Sequence, residues 1–308
     1  MDKKFLFYIL KRLVLAVVTI FLVITITFFI MNFIPGGPFT SEKSVTEETL
    51  AALNAKFGLD KPLFEQYLNY LKGAVRLDFG PSMKMDGRYV MDVIMEGFAS
   101  SAKLGLIAAA GAIVLGLIFG SLAAVFHNKL IDRIIMVVST AFVAMPSFIV
   151  ATLLLWLFCI EMNIFPANGQ TAAGLVLPII SLMLYPMAYI IRLTRSSMLD
   201  VLGQDYIRTA RAKGVAPSKV LFKHALKNAV TPVITYAGPM VAFILTGSLV
   251  VEQIFAVPGL GKYFVSSIVN RDYTMIMGTT IFLAIIVTVM MLLSDILYKL
   301  FDPRVDLS

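Results

Sequence analysis

The chain has 308 residues, of which 59% are apolar and only 15% charged, with a formal net charge of +7. A typical soluble domain carries roughly 25% charged residues, so this chain cannot cover its surface with polar groups and belongs in a bilayer. Its basic residues flank apolar runs, which marks membrane anchoring rather than nucleic-acid binding, and a lone cysteine, Cys159, excludes a disulfide framework.

Six stretches without Asp, Glu, Lys or Arg are long enough to cross ~30 Å of hydrocarbon, which takes about 20 helical residues. They fall within Leu13–Ser41, Leu104–Asn128, Ile134–Ile160, Met162–Ile191, Asn228–Val251 and Tyr273–Ser294. Pro166, Asn168 and Gly169 move the start of the fourth crossing towards Gly174. The first run is about twice the usual signal-peptide core of 7–15 residues, and no small-x-small site follows Phe33, so it reads as a retained helix.

Lys3, Lys4, Lys11 and Arg12 precede the first run, Lys129 and Arg133 follow the second, and Arg192–Lys227 carries eight basic residues against Asp200 and Asp205. The connection Glu161–Ala173 has none, and Glu252–Asp272 has only Lys262 and Arg271. By the excess of Lys and Arg in cytoplasmic loops, the expected fold is all-α: a polytopic membrane protein with six transmembrane helices and cytoplasmic N- and C-termini. It divides into residues 1–99, the first helix plus an extracytoplasmic loop, and residues 100–308, a five-helix core carrying a cytoplasmic loop at 192–228.

The outer loop, Pro35–Ala99, is the only sizeable polar segment. Ser44-Val45-Thr46-Glu47 has capping-box spacing before Leu50, Leu53 and Phe57, with Gly58 as a stop. Pro62 opens a second helix whose Phe64, Tyr67, Leu68 and Leu71 are predicted to form one face. Leu77-Asp78-Phe79-Gly80-Pro81-Ser82 reads as turn, as does Pro258-Gly259-Leu260-Gly261, after which Tyr263–Val269 can form a short helix.

The most informative stretch is Asp205–Gly214. Helix formers run up to Gly214, which can adopt the left-handed conformation that ends a helix, and Pro217 is preset for the first turn of another. On that second helix Lys219, Lys223 and Lys227 fall four apart on one face, while Leu221, Phe222, Ala225 and Leu226 lie on others. Basic residues beside a span often serve only as topology signals or lipid contacts, worth about 1 kcal/mol each. A lipid patch needs no internal turn, so the helix–Gly–Pro–helix order points instead to a docking hairpin.

Catalytic chemistry is not in evidence. His127 and His224 have no His or Cys partner at metal-ligand spacing, so no metal site is predicted. No Gly-x-Ser-x-Gly elbow occurs, and Gly259-Leu260-Gly261-Lys262-Tyr263 lacks the earlier Gly and the Ser/Thr of a phosphate loop. The spans contain no ionisable residue of the kind an ion-driven carrier uses. Their hydroxyls, Thr25, Thr27, Ser139, Thr140, Ser181, Thr246 and Ser248, are expected mostly to bond their own helix backbone, with a minority lining a pathway. Energy for transport must then come from partner chains.

A set of motifs, in order, runs through nearly the whole length: Asn32-Phe33-Ile34-Pro35-Gly36-Gly37-Pro38, Gly58-Leu59-Asp60-Lys61-Pro62, Leu77–Ser82, Arg192-Leu193-Thr194-Arg195-Ser196, Asp205–Gly214 with His224-Ala225-Leu226-Lys227-Asn228, Ile254–Gly261 and Asn270-Arg271-Asp272-Tyr273. In these the chain resembles the first permease subunit of the oligopeptide/dipeptide ABC importers, a family that also includes nickel permeases. The resemblance implies a type I importer permease fold and a multi-pass protein of the cell membrane, which is not itself an enzyme. It implies a peptide substrate, oligopeptide before dipeptide, and four partner chains: a second permease subunit, two cytoplasmic ATPases that carry ATP and magnesium, and an extracytoplasmic solute-binding protein.

The coupling loop would dock one ATPase through Asp205, Arg208, Thr209, Ala210, Arg211, Lys213, Gly214, Lys219, Lys223 and His224. Arg208, Thr209, Ala210 and Gly214 align with the Glu-Ala-Ala-x-x-x-Gly positions of the wider superfamily, and only Ala210 and Gly214 keep its residue types. The outer residues Asp78, Gly80, Phe255, Pro258, Gly259, Gly261, Arg271 and Asp272 would face the binding protein. No cofactor is assigned to this chain.

Overall fold

The computed structural model describes residues 3–39, 46–246 and 249–301, and all regular structure among them is helical. The helices are α1 (Lys3–Phe33), α2 (Glu47–Phe57), α3 (Leu63–Val75), α4 (Val90–Val125), α5 (Leu130–Ala144) and α6 (Ser147–Leu155), the last running on through a π-helical turn, Trp156–Glu161. They continue as α7 (Val176–Leu202), α8 (Asp205–Ala212), α9 (Pro217–Ala229), α10 (Thr231–Leu245), α11 (Leu249–Ile254), α12 (Leu260–Asn270) and α13 (Tyr273–Phe301).

Four of these are long and apolar enough to cross a membrane, within α1, α4, α7 and α13; α5 with α6 and α9 with α10 raise the number to six if each bent pair is one crossing. Large apolar side chains such as Val14, Val17, Val18 and Phe21 stand exposed along α1. That surface suits lipid, where a helix satisfies its own backbone.

The expected continuous crossing Ile134–Ile160 is corrected. The chain turns by 103° between α5 and α6, because Pro146 cannot donate a helical hydrogen bond and Met145 before it is extended at ψ 128°. The fifth crossing is bent by 53° after Ala229, just before Thr231-Pro232. Helix α7 begins at Val176, close to the expected start near Gly174, and carries Arg192 and Arg195 on regular helix rather than in a loop.

The chain packs as two compact units. One combines the residues up to Ser101 with Pro258–Val289; the other combines Ala102–Val257 with the residues from Met290. In the first unit, α3 lays Tyr67, Tyr70 and Leu71 against α1, where Phe28 stacks with Tyr70 at 5.8 Å. Phe64 and Leu68, assigned to that face by spacing, are exposed, since the true stripe is shifted round to Ala74. Helix α2 is capped by Thr46, whose hydroxyl accepts from Thr49 N–H, and stops at Gly58 with φ 68°. Ser44 and Val45 of the proposed capping box, and Ser248, lie outside the described residues. Helix α12 is longer than its predicted Tyr263–Val269 and ends on Arg271 at φ 56°.

In the second unit, α4 meets α7 and α10 through glycines. At Gly116 and Gly120 an added Cβ would lie 2.5 Å from Ile190 and 2.6 Å from Thr194 of α7. This is the close backbone approach that Gly-x-x-x-Gly spacing allows in membrane helices.

Candidate functional site

The hairpin at Asp205–Ala229 is built by local chemistry. Asp205 sits in the first turn of α8 and Arg211 in its last, each complementing the helix dipole. Gly214, with φ 75°, donates its N–H to Arg211 C=O at 2.9 Å, and Val215 donates to Ala210 C=O at 3.2 Å. These are the two bonds of a Schellman stop, closed by apolar contact between Val215 and the cluster holding Ala210. Ala216 is extended and Pro217 occupies the first turn of α9. The tip of the hairpin is therefore fixed by Gly214 and Pro217, as the sequence anticipates.

The underside of the hairpin is buried. Ile207, Ala210, Val220, Ala225 and Ala229 pack with Met198 of α7 and Ala124 of α4. The central stretch Val220–Leu226 is π-helical, so the buried positions Val220 and Ala225 are five apart rather than four. This corrects the apolar face drawn from a 3.6 period: Phe222 is 64% exposed and Val220 replaces it inside. Asn228 Nδ2 donates to Tyr206 Oη at 2.9 Å and ties the two helices together.

Asp205, Arg208, Thr209, Arg211, Lys213, Gly214, Lys219 and Lys223 are exposed, His224 is half-buried, and Ala210 is buried. The Arg208–Asp205 pair, 3.3 Å apart and almost fully exposed, contributes little to stability. What the hairpin offers to a partner is a ridge of cationic groups around an open glycine, since a Cβ at Gly214 would meet nothing within 4 Å.

The outer residues behave differently. Asp272 is buried, and its carboxylate accepts from Ser82 Oγ, Met83 N–H at 3.2 Å, Thr274 Oγ1 at 3.0 Å and Met275 N–H at 3.1 Å. It caps α13 and fastens the Pro81–Met85 turn to that cap. Arg271 donates to Gly36 C=O at 2.9 Å. Asp78 accepts from Gly80 N–H at 3.0 Å, an Asx turn with Gly80 at φ 74°. Phe255 is fully buried among Val251, Val257, Ala151 and Leu177, while Gly259 and Gly261 are buried at the start of α12. Phe255, Gly259, Gly261 and Asp272 thus shape the loops from within, while Asp78 is exposed and Gly80, Pro258 and Arg271 are half-exposed.

The Asp272→Ala variant is expected to leave several buried donors without an acceptor, at a cost of at least about 3 kcal/mol. Faster tryptic cleavage at Arg76, Lys84 and Arg88 in the membrane-embedded chain would report the loosened turn.

Two features escaped sequence reasoning. The first is a cavity of about 690 Å³ in the second unit, lined by residues that include Met145, Pro146, Ser181, Tyr185, Pro186, Tyr236 and Pro239. Its walls carry hydroxyls and aromatic rings and no charge, and Tyr189 and Tyr236 have ring centroids 4.4 Å apart. Three prolines in three charge-free runs were the available signal. The second is an ion pair between the buried Asp132 of α5 and the half-buried Arg195 of α7. Of the anticipated span hydroxyls, Thr25, Ser139, Thr140, Ser181 and Thr246 all donate to a carbonyl three or four residues earlier. Ser181 also lines the cavity.

Among the described residues, helices long and apolar enough to cross a membrane, with a basic hairpin between two of them, place the chain in the class of multi-pass membrane proteins. A family model described as binding-protein-dependent transport system inner membrane component matches residues 116–307, and the corresponding N-terminal model matches residues 5–85. The chain is 47% identical over 301 residues to the dipeptide transport system permease protein DppB of Bacillus subtilis, covering 97% of this chain and 98% of that protein. It is 43% identical to the oligopeptide transport system permease protein OppB of Haemophilus influenzae and 40% identical to that of Escherichia coli, with the same coverage. Among solved structures, the methionine ABC transporter MetNI in an inward-facing conformation matches with a TM-score of 0.55, at 18% identity, over 68% of this chain and 97% of that one. The chain belongs to the binding-protein-dependent transport system inner membrane components, the permease subunits of ABC importers. It is a multi-pass membrane protein and the non-catalytic part of its transporter.

Proposed function

We propose that this chain forms half of a peptide pathway driven by ATPases on other chains. It pairs with a second permease subunit, both of its termini are cytoplasmic, and two cytoplasmic ATPases carry the ATP and magnesium. An extracytoplasmic solute-binding protein delivers peptide to the outer loops, where Asp78, Gly80, Pro258 and Arg271 offer exposed or half-exposed groups. Residues 1–99 supply the first crossing and the outer loop; residues 100–308 supply the five-helix core with the coupling loop at 192–228. The peptide assignment draws on the dipeptide and oligopeptide permeases that align with 97% of this chain.

The observation that carries this reading is the hairpin. Its underside is buried within the chain, and its cationic groups are presented outward around Gly214, together with the exposed Phe222 and Tyr206. A surface whose fold is already complete on one side and charged on the other suits a partner groove of opposite charge. The uncharged cavity between α5, α7 and α10 supports a pathway that makes few selective contacts, leaving selection to the delivering protein.

Gentle affinity purification of the chain from its native membrane tests this directly. Two ATPases and a second six-helix permease are expected to remain bound, and the complex in proteoliposomes should take up peptide only with ATP inside and binding protein outside. Recovery of the chain alone, still active in uptake, would overturn the assignment.

A further inference from the structure

At the cytoplasmic-hairpin end of the second unit, Arg195 of α7 grips Asp132 of α5 with both arms of its guanidinium. Nε donates to Oδ1 at 2.6 Å and Nη2 to Oδ2 at 2.8 Å. The Asp132 side chain is 3% exposed, and Oδ2 also accepts from Asn128 N–H at 2.9 Å. His127 Nδ1 lies 3.1 Å from Arg195 Nη2 and 3.4 Å from Asp132 Oδ2, capping the pair from the turn before α5. One turn earlier on α7, Arg192 Nη2 donates to Thr140 Oγ1 of α5 at 3.0 Å. The two helices are therefore pinned to one another at two points on one side.

Residues towards their other ends line the cavity. Helix α5 runs from Asp132 to the bend at Met145–Pro146, about 20 Å at 1.5 Å per residue, and Val143, Ala144, Met145 and Pro146 form one wall. Helix α7 supplies Ser181, Leu182, Tyr185 and Pro186 to the opposite wall. In the other direction α7 runs two turns past Arg195 and ends in Met198–Leu202, against which the hairpin packs. A two-point guanidinium–carboxylate contact fixes orientation as well as distance. It also resists opening, because Asp132, at 3% exposure, would be left as an unpaired buried charge, while Arg195, at 22%, keeps partial access to solvent.

We propose that the Asp132–Arg195 pair is the positioning link through which displacement of the hairpin reaches the cavity. The link makes α5 follow α7, so that a push on the hairpin moves both walls at Met145–Ser147 and Ser181–Pro186 rather than one. Neither residue touches the transported molecule; both act through the helices they join. The inference rests on the reading that the hairpin docks an ATPase, and its test separates the two.

The test uses the complete importer in proteoliposomes, with Cys159→Ser removing the native thiol and Ser218→Cys, an exposed position outside the assigned docking residues, reporting hairpin–ATPase contact by cross-linking. Peptide uptake and ATP hydrolysis are measured together for Asp132→Asn, Arg195→Lys and the apolar pair Asp132→Leu/Arg195→Met. The apolar pair removes both buried charges at once, so it keeps the fold where Asp132→Asn alone fails to accumulate.

Cross-linking should persist in every variant. Peptide taken up per ATP should fall about tenfold in Asp132→Asn and in the apolar pair, within the 5–150-fold span of typical coupling energies, and less in Arg195→Lys, which keeps the charge but loses the fork. A wild-type ratio in the apolar pair, at matched membrane levels, would reduce the ion pair to a packing element and overturn the proposal. Absence of the cross-link in the otherwise wild-type chain would instead overturn the docking reading beneath it.

Discussion

Peptide uptake should be lost when Gly214 is replaced by aspartate, while the amount of chain in the membrane stays close to normal. Within the chain nothing obstructs a side chain at this position, since a Cβ would find no atom within 4 Å. Any side chain at φ 75° strains the backbone, and Asp and Asn are the residues other than glycine that visit this region most often, so the two share that cost. The further loss expected for Asp is assigned to the proposed dock, where a carboxylate would be buried without a partner against the ATPase. Even about 3 kcal/mol of that penalty reduces docking by roughly 100-fold. Gly214→Asn, of the same size and without charge, should lose less uptake than Gly214→Asp. Paired uptake and quantitative immunoblotting of the two variants check this; equal and wild-type uptake in both would remove Gly214 from the dock.

The second large effect is expected in the fold itself. Gly120→Leu places four carbons where α4 and α7 touch, with Thr194 Cβ at 2.6 Å and Ile191 C=O at 2.8 Å from the first of them. The nearer obstacle is the Cβ of a fully buried side chain and the other is backbone, so neither can swing aside. Overpacking costs typically about 1–3 kcal/mol even in adaptable cores, and here the helices must separate. The expected outcome is a chain that accumulates poorly and aggregates at a temperature well below that of the wild type after solubilisation. Gly120→Ala should show the same defect in milder form. Size-exclusion profiles after a graded heat step would rank the three proteins.

The hairpin was legible because its two ends are written in residues with backbone consequences. Gly214 supplies the left-handed turn and Pro217 the fixed φ of a first helical residue, and neither depends on the rest of the fold. The middle of α9 was not legible. Its π-helical stretch changes which side chains point inward, and a period of 3.6 assigns Phe222 to the wrong side. Similarly, charge-free runs locate crossings but say little about their continuity. Ile134–Ile160 is charge-free throughout, and only the Met145-Pro146 pair marks the 103° turn.

The acidic and basic residues misled in a different way. Asp132 carries no local signal and Arg195 counts only among the basic residues of Arg192–Lys227, because the sequence does not tell which flanking charges face each other. Asp272 and Phe255 sit in motifs suited to an exposed loop, yet both are buried, since what such a loop needs most is a fixed shape. Burial of a carboxylate that accepts from four donors is a tertiary property and leaves no local pattern.

The prolines around the cavity also determine how wet this part of the bilayer is. Pro186 lies inside α7 and Pro239 inside α10, and each lacks the N–H that would serve the carbonyl four residues earlier, at Leu182 and Thr235. Leu182 is itself on the cavity wall. A carbonyl deprived of its helical donor inside hydrocarbon is costly unless something else donates to it, and such backbone is tolerated at membrane depth where it is buried in protein or lines a water-filled cavity. The freed carbonyl at Leu182 thus belongs to a residue of a lining that has no charged side chain. A solute entering it would exchange hydrogen bonds with water and main chain, whose geometry is indifferent to the identity of any residue the solute carries.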